Sequence, residues 1–158
     1  MRKVDFNVDK FTATFFGIGL CNGKMPGTVG SAAAWAIAVI VYYTMGCTIH
    51  WAVITALVLI GAWSSDRYSK KIGAEDPPEV VIDEVAGMWI SMYALPVSYG
   101  IPAFVLFRIV DILKPFPVCA AEKLPGGIGI MADDVVGGII VRLIFAAIRT
   151  YFLAEMVG

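Results

Sequence analysis

Five carboxylates carry the chemistry that this sequence can perform: the adjacent pair Asp83-Glu84, Asp111, and the adjacent pair Asp133-Asp134. They sit in a chain that is 59% hydrophobic and only 16% charged, where grouped acids need a cation. Carboxylate oxygens are hard ligands, and with one histidine and three scattered cysteines there is little imidazole or thiolate to compete. Such a donor set selects Mg²⁺ or Mn²⁺ over zinc or copper. Lys24, Arg108 and Lys114, together with the free amides of a helix starting near Thr28 and Ser31, are the groups that an anionic phosphate would seek. Carboxylates alone would repel that phosphate. A bridging metal removes the conflict, polarises the phosphoryl oxygens and activates a bound water.

The elements that must position these residues are apolar. The mean hydropathy of +0.79 leaves too little polar surface to cover a soluble core of 158 residues, so one domain spanning residues 1–158 and embedded in a bilayer is expected. A net charge of -1 excludes a nucleic-acid footprint. Cys21, Cys47 and Cys119 are too dispersed for a disulfide framework and read as small hydrophobes. The charged N-terminus precedes any apolar run, unlike a cleaved signal.

Phe11 to Leu20 is too short to span and suits the membrane interface. Asn22-Gly23 and Pro26-Gly27 mark a loop, with Thr28 or Ser31 as candidate cap of the next helix. From Met25 to Ser65 there is no Asp, Glu, Lys or Arg, and Gly46 interrupts the run. That predicts a helical hairpin, Thr28 to Met45 and Cys47 to Trp63, each arm near the lower limit for crossing the hydrocarbon layer. Small residues at Gly30, Ala32, Ala33, Ala34 and Ala36 suit either internal helix packing or a homo-oligomer. After a polar loop stopped by Pro77-Pro78, Asp83 and Glu84 precede a third apolar segment reaching about Val97. A fourth runs from Ile101 to Lys114, and a fifth is expected to open at Asp134 after a flexible glycine-rich approach, Gly126 to Gly129.

If these segments alternate across the membrane, the Lys24–Ser31 loop, Asp83-Glu84, Arg108 to Lys114 and Asp133-Asp134 all fall on one face. The cations follow the same assignment, which makes that face cytoplasmic by the positive-inside rule. The fold class is therefore all-α: a polytopic membrane protein of four to five apolar helices, with its polar motifs gathered at one face.

Each cluster also has a structural explanation. Asp83 and Glu84 could complement a helix dipole, Asp133 or Asp134 could be an N-cap, and Arg108, Asp111 and Lys114 share a helix face suited to an ion pair. Charges in a membrane segment cost on the order of 2.5–3.5 kcal/mol each at the centre, which weighs against decoration. His50 lies far from the acids, so a Ser-His-Asp triad is excluded. No cysteine-phosphatase loop and no Asp-x-Asp occurs, and the glycines follow no strand, so they are not a dinucleotide fingerprint.

Pro26-Gly27-Thr28-Val29-Gly30-Ser31, Ile82 to Trp89, Phe107 to Pro115 and Gly126 to Gly138 resemble, in order, the four motifs of the bacterial phosphatidylglycerophosphatase A family. Gly23 departs from the proline often found there. The resemblance implies a Mg²⁺-dependent, multi-pass enzyme of the inner membrane that removes the terminal phosphate of phosphatidylglycerophosphate on the cytoplasmic side. On this reading Asp83, Glu84, Asp111, Asp133 and Asp134 hold one or two Mg²⁺ ions and orient water, with Lys24, Thr28, Ser31, Arg108 and Lys114 on the phosphate. The alternatives are another phosphorylated lipid, a soluble phosphomonoester, or a small ion or proton transporter that uses the same acids as a relay.

Overall fold

The computed structural model describes residues 7–21 and 25–157, without the side chains of residues 43, 45–47 and 153–157, and all its regular structure is helical. The elements are α1 (Val8–Ala13), α2 (Pro26–Ile72), α3 (Ile82–Met92), α4 (Gly100–Leu113), α5 (Val118–Ala121) and α6 (Gly126–Val157), with single 3₁₀ turns at Ile18–Leu20 and Val97–Tyr99.

α2 keeps helical backbone over 47 residues, yet it cannot be straight. His50 Nε2 lies 3.3 Å from the carbonyl oxygen of Ala38. At 1.5 Å per residue a straight helix would separate these backbones by about 18 Å. Gly30 and Gly61, which a straight helix would hold roughly 45 Å apart, both face the start of α3: Gly30 against Val81 and Gly61 against Ile82. The chain therefore doubles back between Tyr42 and Thr48, and the hairpin expected around Gly46 is present.

α3 is the helix that the others enclose. Nine of its 11 residues are buried, Asp83 among them. Val85, Met88, Trp89 and Met92 join Phe107 and Val110 of α4 and Val141 and Phe145 of α6 in one core cluster. Ile82 and Ala86 join Tyr68 of α2 and Ile130 and Met131 of α6 in a second. Both arms of α2 contribute, and Gly30, Ala34 and Ala38 are spent on this internal packing. The N-terminal segment closes the assembly: Arg67 pairs with Asp9 at 3.1 Å, and the Val81 amide donates to Ala13.

Three expectations change. α6 begins at Gly126, so Asp134 does not open the last helix but lies two turns inside it. The glycine-rich stretch is not a flexible approach. A side chain at Gly127 would stand 2.0 Å from the Ala62 carbonyl oxygen, so glycine lets the first turn of α6 lie against α2, where Asp66 accepts the Gly127 amide. Neither Thr28 nor Ser31 caps α2. Pro26 occupies its first turn, whose missing N–H costs nothing there, and Ser31 is buried, donating to the carbonyl of Gly27. Third, the apolar segments are shorter than membrane spans: α3 has 11 residues and α4 has 14. Among the described residues one helix, Thr48–Ile72, is long and apolar enough to cross a membrane, with Pro26–Tyr42 a shorter apolar helix.

α3 and α6 approach at glycine. A Cβ on Gly138 would lie 2.4 Å from the Gly87 carbonyl oxygen and 3.1 Å from its Cα. Backbone cannot step aside as a flexible side chain can, so Gly138→Ala is expected to cost about 1–3 kcal/mol. The readout is the unfolding midpoint in detergent; an unchanged midpoint would show that the two helices are free to separate.

Candidate active site

The starts of α2, α3 and α6 and the end of α4 meet at one end of the bundle, and there the predicted acids divide into two sets. Asp83, Glu84 and Asp134 bring carboxylate oxygens within 4.8 Å of one another. Asp83 and Asp134 are buried, and Glu84 keeps only 15% of its side-chain surface. Glu84 Oε2 and Asp134 Oδ1 are buried with no hydrogen-bond partner. An orphaned buried acceptor costs about 1–3 kcal/mol, and both belong to carboxylates of this one small group. Three hard oxygen donors in that volume fit a divalent cation such as Mg²⁺.

Asp111 and Asp133 serve the cations instead. Arg108 Nη1 lies 2.5 Å from Asp111 Oδ2 and 3.9 Å from Glu84 Oε1, which ties α4 to the acidic centre. Lys114 follows the last turn of α4 in left-handed backbone (φ 44°), which ends the helix and carries its ammonium to Asp133 Oδ2 at 2.9 Å and to Glu122. Arg108 and Lys114 thus flank the acids from one element, as the three-residue spacing through Asp111 implied. Asp133 and Asp134 part company because successive helical residues point about 100° apart: Asp134 into the triad, Asp133 toward Lys114. Each pair also fixes its own backbone, since Asp83 Oδ1 accepts the Glu84 amide and Asp133 Oδ1 the Asp134 amide, both at 3.0 Å.

The start of α2 completes the site through Gly27. A Cβ there would stand 2.0 Å from Glu84 Oε1 and 3.1 Å from Arg108 Nη1. Only glycine lets the positive end of that helix come so close to the acids. Thr28 is half-buried in the same turn, while Ser31 is occupied with its own helix. Lys24 lies outside the described residues.

Two residues that the motif reading passed over belong here. Glu122, just after α5, is the second anchor of Lys114. Asp76, in the loop before Pro77-Pro78, has its carboxyl pushed upward by desolvation and then by Asp133, although the residue as a whole is exposed. Proline after an acid was the available signal: it fixes the loop that returns Asp76 to the site.

Electrostatics describe a centre where acids outnumber the cations beside them. Burial raises Asp83 well above its usual value, with the charge of Glu84 adding to it. Burial lifts Glu84 to about 8, against the pull of Arg108. Asp134 is raised well above its usual value by burial, then by Asp83, Asp111 and Asp133. Protons bound here belong to the cluster as a whole. Lys114 is raised as well, but here that favours its charged form: burial opposes the charge, and the bonds it donates to Glu122 and Asp133 prevail.

The phosphatidylglycerophosphatase A family model matches residues 11–149, nearly the whole chain. The chain belongs to this family. A phosphatidylglycerophosphatase A of Haemophilus influenzae is 38% identical over 158 residues, covering 97% of this chain and 96% of its own. The Escherichia coli phosphatidylglycerophosphatase A is 36% identical over 136 residues, 81% of this chain and 76% of its own. A Bacteroides thetaiotaomicron protein provisionally named phosphatidylinositol-3-phosphatase is 36% identical over 151 residues, 88% and 94% respectively. No solved structure matches the chain. All four stretches that resembled phosphatidylglycerophosphatase A lie inside the matched span, and each supplies one wall of the site.

Because the raised carboxyls bind protons more tightly folded than unfolded, the metal-free native state loses stability as pH rises. For Glu84 the loss spans about pH 4.5 to 8. In chelator the unfolding midpoint should therefore fall across that window, and Glu84→Gln should flatten the slope; a midpoint rising with pH in the same buffer would contradict the geometry. Gly27→Ala should leave the fold intact yet lower activity about tenfold or more by displacing Glu84, measured as kcat/KM at saturating Mg²⁺.

Proposed function

We propose that this phosphatidylglycerophosphatase A family member hydrolyses the terminal phosphomonoester of phosphatidylglycerophosphate, releasing phosphatidylglycerol and inorganic phosphate. One observation carries the reading: three closely set carboxylates, two of them with an orphaned buried oxygen, stand beside the cations Arg108 and Lys114. Asp83, Glu84 and Asp134 would hold Mg²⁺, which when bound neutralises their charge, polarises a phosphoryl oxygen and makes a bound water nucleophilic.

The chain's own groups do the rest. Arg108, held in orientation by Asp111, offers its guanidinium to the phosphate, and Lys114 offers its ammonium from the other side, steadied by Asp133 and Glu122. The first free amides of α2, brought in by Gly27, add donors with the helix dipole behind them. Burial around the triad keeps bulk water from screening these charges.

The membrane assignment rests on the exposed surface. Leu59, Ile101, Ile112 and Leu143 are each at least 62% exposed, an outward apolar surface suited to lipid rather than water. In the proposed arrangement the helices sit in the inner membrane in several passes, with the charged end facing the cytoplasm, where the cations of the sequence gather. A lipid substrate then keeps its acyl chains in the bilayer while its headgroup meets the site. A phosphoinositide is the second reading, favoured by the name of the Bacteroides relative.

The test is phosphate release from phosphatidylglycerophosphate in mixed micelles, with Mg²⁺ against excess chelator and with phosphatidylinositol 3-phosphate as the comparison. Mg²⁺-dependent release that drops more than about a hundredfold in Asp134→Asn and Asp83→Asn is expected. Retention within a few-fold by either variant would remove the triad from the reaction.

A further inference from the structure

The N-terminal segment turns an apolar edge outward. Asp9 and Ala13 are the buried residues of α1, whereas Val8 and Phe11, three apart on its other side, are exposed. After α1 the chain reverses through three consecutive left-handed residues, Phe15 (φ 45°), Phe16 (φ 59°) and Gly17 (φ 87°). Two bulky side chains in such backbone are outliers, which persist only where the surroundings over-determine them. Thr14 does so here. Its hydroxyl accepts the Gly17 amide at 3.1 Å and its carbonyl the Gly19 amide at 3.0 Å, while the Phe16 amide donates to the Phe11 carbonyl at 2.8 Å. The turn sends Phe15 into the core and leaves Phe16 64% exposed, with its ring 5.2 Å from that of Phe11. Leu20 is exposed just beyond.

The helix to which this edge is tied indicates what covers it. Asp9 holds Arg67 at 3.1 Å, and the Arg67 guanidinium lies over the ring of Trp63, 5.2 Å from its centroid. Trp63, Arg67 and Lys71 are exposed and recur every fourth residue, so they share one stripe. That stripe ends Thr48–Ile72, the helix able to cross a membrane. A half-exposed tryptophan followed by cations at the end of such a helix marks the level where hydrocarbon gives way to headgroups. α1 is fixed at that level, with Lys10 in its last turn. Its acid, Asp9, is buried against Arg67, so the charge left facing outward is positive and matches headgroup phosphates.

Inward, the same segment holds the helix that carries Asp83 and Glu84. The Ala13 carbonyl accepts the amide of Val81, the residue that precedes α3, at 3.1 Å. A Cβ on Gly19 would stand 2.1 Å from the Glu79 carbonyl oxygen, so the 3₁₀ turn rests directly on the backbone that leads into α3.

We infer that α1 and its left-handed turn form a lipid-seated clamp. Val8, Phe11, Phe16 and Leu20 enter the headgroup boundary of a phospholipid leaflet, and Lys10, Arg67 and Lys71 meet its phosphates. The segment so held fixes the start of α3 at the depth of a lipid headgroup. The inference rests on the membrane arrangement proposed above and adds which segment meets the leaflet and what its seating positions. The length of Phe11 to Leu20 suited it to an interface; the geometry supplies its outward face and its bond to α3.

Two measurements test the clamp. With Cys21, Cys47 and Cys119 replaced by alanine, a fluorophore is attached at Val8→Cys or Leu20→Cys and the chain is placed in phosphatidylcholine–phosphatidylserine liposomes. Either label should be quenched by lipid carrying a nitroxide near its headgroup and screened from acrylamide in the water. A label at Glu75→Cys, exposed in the loop before α3, should show the reverse. Labels at Val8 and Leu20 open to acrylamide, or shielded from both quenchers as beneath a second copy of the chain, overturn the clamp. A chain that does not float with the liposomes sinks the membrane arrangement itself, and the clamp with it.

The second measurement reads the coupling to α3. Asparagine accepts left-handed backbone more readily than most residues, so Phe16→Asn keeps the turn and removes the apolar side chain. With Mg²⁺, this variant should lower kcat/KM for phosphatidylglycerophosphate about tenfold in liposomes and less than about threefold in mixed micelles, whose detergent reshapes around the protein. An equal loss in both, or no loss in liposomes, overturns the coupling. Absence of phosphate release by the unmodified chain sinks the hydrolase reading instead, and the quenching still decides the clamp.

Discussion

Asp83 and Glu84 on one helix can face Asp134 on another only because the two helices cross glycine against glycine. At Gly87 and Gly138 the backbones come within the reach of a single methyl group, and a helix pair so close sets its polar ends at carboxylate distance. Close backbone packing of this kind is a main source of helix association wherever burial of apolar surface gains little. Gly30, Gly61 and Gly127 repeat the device against Val81, Met131 and Ala62. The site's precision is thus paid for by residues that carry no side chain at all.

That close packing creates the opposing problem. Three crowded acids repel one another, and burial together with their mutual charge pushes all three toward the protonated form. Phe107, Met88 and Val110 belong to the apolar core built on the helix that carries Asp83 and Glu84, so relief comes from bound charge: protons, a metal, or the nearby Arg108. The arginine answers only in part, because Asp111 holds it closer than Glu84 does. The same separation divides the acids into a close-set trio and a pair, Asp111 and Asp133, that hold the cations.

Much of this was readable in advance, for identifiable reasons. A charge-free run broken by Gly46 gave the hairpin, because helical periodicity and a small turn residue are local signals. The gathering of Asp83, Glu84, Arg108, Lys114, Asp133 and Asp134 followed from alternation of apolar segments. The division of the five acids did not, since it depends on a rotation of about 100° between neighbouring residues of α6 and on where Lys114 lands after its left-handed turn. The glycines before Asp133 were misread as a flexible loop because composition cannot separate a glycine that bends from one that packs. Asp76 and Glu122 were missed because each reaches the site from a loop outside the apolar pattern.

The placement of Lys114 bears on how a lipid could arrive. Its neighbours Leu113 and Phe116 are 72% and 83% exposed, so the cation stands at the boundary between an apolar outer surface and the acidic centre. Along α4 the exposed side continues through Ile112, Ile109, Val105 and Ile101, at the spacing of one helical face. Water would penalise that face, whereas acyl chains would cover it without cost. A phosphorylated headgroup attached to such chains would meet Lys114 first, then Arg108 one turn and a half deeper, and only then the triad. The order of encounter would run from attraction at the rim by Lys114 to orientation by Arg108 along α4, and then across to the acids of α3 and α6, where no free charge enters uncompensated.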